Sequence, residues 1–238
     1  MKHILSKAIV FGIIGLGAPA LQASTEVEVT AVLTADNHYG LYYGNKAGTD
    51  LTFVNRNEFG YSGSTGSYNW SAPETWNFSV GSGQFPYVVA WDDGLQQSWI
   101  GEFTFNSTTL LSDSVNWEYI VGSGGNPGES GDVPLDATLS GDIFAGGWSP
   151  VGASAPNGSA PWGTIPGISE EAKFIWGDSV QSDTAASNDH YFIFRPIAPV
   201  VSTTVGSVVP EAGTAGAGTA LLALTGSLVL RRRRQARG

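Results

Sequence analysis

The sequence predicts an all-β fold, an antiparallel β-sandwich framed by an N-terminal signal peptide and a C-terminal transmembrane helix. Glycine and proline account for 32 and 12 of the 238 residues, and aromatic residues for 11% of the chain. This composition is typical of many short strands joined by turns. Short apolar or alternating stretches recur along the chain, and no long stretch shows a sustained helical period, so strands rather than helices form the body.

The first strand is predicted from alternation. Val27, Val29, Ala31 and Leu33 lie two residues apart and therefore share one face of a strand, with polar residues between the first of them. Aromatic and β-branched residues between turn signals predict the remaining strands, at residues 38–43, 51–54, 76–80, 87–91, 99–105, 174–176 and 191–194.

Turn residues set the connections between these strands. Turns are predicted at residues 36–37 and 44–48, and the Asp-Asp-Gly sequence at residues 92–94 predicts a tight hairpin between its two flanking strands. The four-residue spacing of Leu135, Leu139 and Ile143 predicts one short surface helix.

The sandwich domain is predicted to span residues 24–197, with an interruption at residues 122–166. Within it, residues 122–134 and 150–166 are rich in Gly, Pro, Ser and Asn and are interpreted as long surface loops. Residues 198–208 are interpreted as a linker.

The N-terminus has the three parts of a secretory signal peptide, predicted at residues 1–23. Lys2 and Lys7 flank a basic region, residues 9–16 are apolar, and small residues before residue 24 offer cleavage sites. The alternative is a buried N-terminal helix, which the polar alternation beginning at residue 24 disfavours.

The C-terminus predicts a membrane-spanning helix. Residues 212–230 contain no charged side chain, and at ~1.5 Å per residue they reach roughly 28 Å, close to the hydrocarbon thickness of a bilayer. Arg231, Arg232, Arg233 and Arg234 follow directly and predict a cytoplasmic end, with the body outside. Its glycines weaken the helix, which suits temporary better than permanent anchoring.

Charge and cysteine content exclude several classes of function. Between the two ends stand 4 basic and 20 acidic residues, a balance that repels nucleic acid and anionic lipid. The chain has no cysteine, so disulfides, thiol catalysis and cysteine metal sites are excluded. No serine-hydrolase elbow and no zinc-protease motif occurs, and the chain is predicted not to be an enzyme.

The C-terminal tail resembles a known sorting signal. Val209, Pro210 and Glu211, followed by the apolar stretch and the arginine cluster, resemble the PEP-CTERM sorting tail, although Ala212 replaces the second proline of its motif. The resemblance implies recognition by the membrane protease exosortase, cleavage near Pro210 and Glu211, and association with exopolysaccharide. The tail, residues 209–238, would then hold the protein in the inner membrane only transiently. The alternative is a plain single-pass anchor.

The body carries a second resemblance. The Ala-Asp-Asn-His-Tyr-Gly-Leu-Tyr sequence at residues 35–42, Trp-Ile-Gly-Glu-Phe at 99–103, Phe-Ile-Trp at 174–176 and Phe-Ile-Phe-Arg at 192–195 resemble core strands of galactose-binding-like jelly-roll domains. The resemblance implies a jelly-roll fold across residues 26–197 and leaves the function of the body open.

Tryptophan supplies the candidate binding residues. Flat aromatic faces stack on sugar rings, and Trp70, Trp148 and Trp162 stand in Gly/Pro/Ser-rich stretches where exposure is expected. They are the candidate glycan-binding residues. The other five tryptophans stand in apolar strand patterns and are expected in the core, namely Trp76, Trp91, Trp99, Trp117 and Trp176.

Acidic residues supply only weak candidates. No cofactor is expected except a structural Ca²⁺, for which Asp92 and Asp93 are weak candidates beside Asp36 and Asp132, and turn formation explains these aspartates better. Three functions remain open for the exported body: a glycan-binding module, a structural envelope or matrix protein with no ligand site, and, more weakly, a glycoside hydrolase.

Overall fold

The computed structural model describes residues 26–57, 70–129, 131–180, 182 and 184–201, and these form two six-stranded antiparallel sheets with two short helices. The elements are β1 (Glu26–Asp36), β2 (His38–Gly44), β3 (Thr52–Arg56), β4 (Glu74–Gly81), β5 (Phe85–Trp91), β6 (Ser98–Phe105), β7 (Thr108–Leu111), β8 (Trp117–Gly125), α1 (Asp136–Ala145), β9 (Ser149–Pro150), β10 (Ala153–Pro156), β11 (Lys173–Trp176), α2 (Ala185–Asp189) and β12 (His190–Pro196). The predicted all-β sandwich is confirmed. The signal peptide and the C-terminal apolar stretch lie outside the described residues.

The first sheet has the order β10-β11-β6-β1-β4, and β7 also pairs with β6. Strand β1 lies between β4 and β6, with Ala31 opposite Trp76 of β4 and Phe103 of β6. The predicted alternation is present in β1, because Val27 and Val29 are buried while Glu28 between them and Thr30 after them are exposed. One face of this sheet therefore meets water and the other meets the core.

The second sheet has the order β3-β2-β5-β12-β8-β9. Every residue of β5 is buried, as are six of the seven residues of β12. Such continuous burial requires cover on both faces of the sheet, which explains why these strands read as uninterrupted apolar runs.

Aromatic side chains fill the space between the two sheets. Trp99 of the first sheet contacts Trp117 and Phe194 of the second, with ring centroids 4.8 and 5.7 Å away. Trp176 meets Phe192 at 5.1 Å. Edge-to-face and tilted pairs of this kind add to the stabilisation from buried area, so this cluster is the main core of the domain.

Helix α1 covers the other face of the second sheet. Its Leu139 and Ile143 are buried against a second apolar cluster that contains Val89 and Ile193. Asp142 fixes the helix in place, because its Oδ2 accepts the Tyr191 hydroxyl at 2.6 Å and the Ser123 backbone N–H at 3.1 Å. The predicted short helix is confirmed, and it forms a third layer. Among the described residues no helix is long and apolar enough to cross a membrane.

Two predictions about connections are wrong. The turn at residues 92–94 does not form a hairpin, because β5 belongs to the second sheet and β6 to the first, so this turn crosses between sheets. The stretches 122–134 and 150–166 are not entirely loop, since β8 continues to Gly125, β9 ends at Pro150 and β10 spans Ala153–Pro156. Gly122 lies beneath the Tyr191 ring, where a Cβ atom would come within 2.1 Å of Tyr191 Cε2. The glycines of β8 thus make room for an aromatic ring and do not end the strand.

Candidate functional site

A polar cluster lies where β1 and β5 leave their sheets. Asn37 is buried and its side-chain oxygen accepts the Asp93 backbone N–H at 2.5 Å. Asn57 donates from its side chain to the Asn37 carbonyl at 2.8 Å and accepts the Tyr39 N–H at 3.0 Å. His38 Nε2 lies 2.7 Å from Asp93 Oδ2, to which it donates. These bonds fasten the sheet-crossing loops to one another.

The segment after β8 closes the same end of the sandwich. Trp91 donates its indole N–H to the Gly128 carbonyl at 3.1 Å, and the Arg56 guanidinium lies 5.3 Å from the centre of that indole ring. Asn126 donates from its side chain to the Asp92 carbonyl at 2.6 Å. The groups of this end are thus engaged with neighbouring loops, which is the arrangement of a structural cluster.

The aspartates considered for Ca²⁺ have protein partners. Asp92 Oδ2 accepts the Gly94 N–H at 2.8 Å, as in an Asx-turn, and Asp93 pairs with His38. Asp132 is fully exposed and lies 3.9 Å from Arg56. Among the described residues no group of three or more His, Asp or Glu side chains could hold a metal ion.

Trp162 is buried, so its predicted exposure is wrong. Only 3% of it is accessible to solvent. Its ring stacks on Phe174 at a centroid distance of 4.6 Å, and its indole N–H donates to Asp36 Oδ2 at 2.7 Å. The Gly/Pro-rich stretch around it folds back over the edge of the core and carries the indole inward. A buried indole cannot stack on a glycan, so Trp162 is no longer a binding candidate.

Trp70 is partly buried and packs against the main core. The expected core tryptophans Trp91, Trp99, Trp117 and Trp176 are fully buried. Trp76 is half-buried instead, and its indole N–H donates to the Tyr39 hydroxyl at 2.8 Å.

The Tyr39 hydroxyl links this indole to a buried acid. It donates to Glu74 Oε2 at 2.8 Å, and both residues are buried. Burial, reinforced by the Glu74 charge, holds the pKa of Tyr39 well above its usual value. The hydroxyl therefore stays protonated and keeps donating to the acid at any physiological pH.

Trp148 is half-buried on the α1 side of the second sheet, between α1 and β9. The Arg195 guanidinium lies 3.7 Å from the centre of its ring, and the Tyr87 ring lies at 6.4 Å. A guanidinium at this distance is in cation–π contact. Trp148 is thus the candidate tryptophan that combines partial exposure with a fixed and charged support.

Arg195 supports the Trp148 ring, a role that is not predicted from the sequence. Its side chain is 5% exposed, and its Nε donates to Glu118 Oε1 at 2.7 Å. Its Nη1 donates to the Lys46 carbonyl at 2.8 Å. The sequence feature that points to Arg195 is its position at the end of a continuous apolar strand. An arginine in such a strand is expected to be buried, and a charge is buried only when it is paired.

Tyr87 completes the support of this site. Its hydroxyl donates to the Asn45 carbonyl at 2.7 Å. Burial raises the pKa of Tyr87, and the neighbouring Arg195 guanidinium opposes part of that rise. Tyr87 and Arg195 both bond to the β2–β3 turn, at Asn45 and Lys46, and so fix this turn beside Trp148. We call the group of Trp148, Arg195, Glu118, Tyr87 and Lys46 the Trp148 site.

The predicted sorting residues lie outside the described residues. They are Val209, Pro210 and Glu211 of the motif and Arg231, Arg232, Arg233 and Arg234 of the cluster. No protein-family model, no curated protein and no solved structure matches the chain.

Proposed function

We propose that the chain is an exported cell-surface protein that exosortase sorts through its C-terminal tail and that associates with exopolysaccharide. The observation that carries this proposal is the order of three features in the sequence. The Val-Pro-Glu motif at residues 209–211 precedes a charge-free stretch of bilayer length, and four arginines follow it. The N-terminal signal demands the same orientation. The proposal assigns no catalytic residue.

The sorting proposal is tested by changing the arginine cluster. Replacing Arg231, Arg232, Arg233 and Arg234 with Ser removes the charge that keeps the end of the tail in the cytoplasm. We expect altered membrane fractionation and altered size of the mature protein on immunoblots. Replacement of the same four residues with Lys preserves the charge and is the matched control. Unchanged fractionation and size for the Ser variant would refute the proposal.

For the body we propose a jelly-roll-type sandwich that binds glycan at the Trp148 site. The jelly-roll assignment is supported by the way the chain passes between the sheets, for example from β1 to β2 and from β5 to β6. Glycan binding is supported by the partly exposed Trp148, whose ring is held by Arg195. Arg195 in turn bonds to Glu118 and to the Lys46 carbonyl, which supply polar groups around it. A rigid aromatic surface with a polar rim suits a sugar ring.

A structural envelope or matrix protein with no ligand site is the second candidate. It is favoured by the burial of Trp162 and by the separation of the other two tryptophans, since Trp70 packs on the main core and Trp148 on the α1-side cluster. Scattered, partly buried tryptophans are ordinary in large aromatic cores.

Retention on immobilised polysaccharides separates the two candidates. The full-length chain in mild detergent is passed over a set of charged and uncharged glycans, together with Trp148→Ala and Trp70→Ala variants. Loss of retention in the Trp148 variant alone supports binding at this site. Absence of retention on every glycan leaves the structural role as the function of the body.

A further inference from the structure

The Trp148 site contains two of the few basic residues of the body. Between the two terminal segments the chain has only four basic residues, namely Lys46, Arg56, Lys173 and Arg195. Two of them belong to this site. The Arg195 guanidinium carbon lies 3.7 Å from the Trp148 ring centre, and its Nη1 donates to the Lys46 carbonyl at 2.8 Å, which holds the backbone of Lys46 beside it.

The two cations have different parts in the site. Arg195 is buried and gives its Nε–H to Glu118, so it serves as a fixed support for the ring. Its charge also offsets the negative potential of the indole face, which otherwise disfavours an approaching anion. Lys46 is exposed, and the described residues hold no carboxylate in ion-pairing distance of its ammonium group. Because the Lys46 backbone is held beside Arg195, its flexible side chain can carry the ammonium to a ligand on Trp148.

We propose that the ligand of the Trp148 site is an anionic glycan whose sugars carry carboxylate groups, that is, a uronate-containing polysaccharide. A sugar ring packs on the exposed part of Trp148, and its carboxylate pairs with the Lys46 ammonium. Glu118 does not repel this carboxylate strongly because Arg195 already neutralises it. This inference rests on the glycan-binding function proposed above and names the class of its ligand.

The acidic remainder of the body confines such binding to this place. Twenty acidic residues stand between the ends of the chain, and they repel a polyanion at long range. At physiological ionic strength the screening length is about 8 Å, so a local contact with Lys46 outweighs charges on the far sheet. Binding should therefore need moderate salt and be lost again at high salt.

The test compares two polymers and a matched pair of lysines. The full-length chain in mild detergent is run on immobilised polygalacturonate, a polymer of uronate sugars, and on dextran, an uncharged glucan. We expect stronger retention on polygalacturonate. Lys46→Gln should weaken it about three-fold, as for one exposed ion pair. Lys173→Gln removes the same charge from β11 of the other sheet and should change nothing. Trp148→Ala should abolish retention, with thermal unfolding measured to confirm that this variant is folded.

Each outcome bears on a different claim. Equal retention on both polymers, lost in Trp148→Ala, keeps the glycan-binding function and overturns the preference for acidic sugars. An equal effect of Lys46→Gln and Lys173→Gln shows a general charge effect and also overturns the inference. Absence of retention on both polymers overturns the inference, and the wider set of glycans described above then decides whether the body binds any glycan.

Discussion

Replacement of Arg195 with Met tests whether the guanidinium holds the Trp148 site together. Methionine keeps the apolar stem of arginine but has no charge and no N–H donor, so the loss is mainly one of charge and hydrogen bonds. It removes the 2.7 Å bond to Glu118, the 2.8 Å bond to the Lys46 carbonyl and the cation–π contact with Trp148. It also leaves the Glu118 carboxylate without its cation.

The expected cost follows from the burial of the pair. Loss of one partner of a buried ion pair costs about 3–5 kcal/mol, and the Glu118 side chain is 22% exposed, so water relieves part of this cost. We expect the free energy of unfolding to fall by about 3 kcal/mol, near the lower limit of that range. For a domain of this size that lowers the melting temperature by roughly 6–12 °C.

The assay is thermal unfolding of the full-length chain, followed by near-ultraviolet circular dichroism. Arg56→Met is the matched control, because Arg56 pairs at 3.9 Å with the fully exposed Asp132. Its loss should cost about 1 kcal/mol. If Arg195→Met melts within about 2 °C of the unmodified protein, corresponding to less than about 1 kcal/mol, the reasoning is refuted. Equal effects of the two variants would also contradict it.

Three further predictions concern the core. Gly122→Ala should destabilise the domain by about 2 kcal/mol because its Cβ meets the Tyr191 ring. Gly141→Ala in α1, where a Cβ meets open space, should stabilise the domain by up to about 1 kcal/mol. Urea unfolding measures both changes, and a change of the same sign for both variants would contradict the packing at Gly122. Trp162→Phe keeps the stacking on Phe174 and loses the hydrogen bond to Asp36. It should lower the free energy of unfolding by about 1–3 kcal/mol and leave glycan retention unchanged. Loss of retention in folded protein would restore Trp162 as a binding residue. Alkaline pH should unfold the domain, because burial raises the pKa of five of the eight tyrosines, namely Tyr39, Tyr42, Tyr87, Tyr119 and Tyr191. These five stay protonated in the folded state and ionise near pH 10 in the unfolded state, so stability is full below about pH 10 and falls above it. Their tyrosinate absorbance should rise together with unfolding, and ionisation of all eight tyrosines in protein that is still folded would refute this.

Strand positions were predictable where the side-chain pattern itself reports burial. Val27 and Val29 alternate with exposed residues because β1 is covered on one face. Residues 191–194 form an unbroken apolar run because β12 is covered on both. Helix α1 was likewise predictable from the spacing of Leu139 and Ile143, which face the second sheet. Local periodicity carries this information directly.

Connections and exposure were less predictable because they depend on contacts distant in sequence. The turn at residues 92–94 has the residue types of a hairpin turn. However, the Asn37 side chain accepts the backbone N–H of Asp93, 56 residues away, and the chain passes from there into the other sheet. Trp162 stands among glycines and prolines, but its indole reaches Asp36 across 126 residues. Arg195 becomes a support for Trp148 only after β12 and the segment before β9 are brought together.

Length changes between β8 and β9 would be tolerated poorly in this protein. Surface loops can usually be shortened with little loss of stability. The segment between β8 and β9 contains α1, however, and α1 shields the outward side chains of Tyr87, Val89 and Ile193 from water. A variant without α1 would expose this apolar face of the second sheet and self-associate. Any relative that lacks the helix between β8 and β9 must therefore carry hydrophilic side chains at those three positions, a pattern that sequencing alone can reveal.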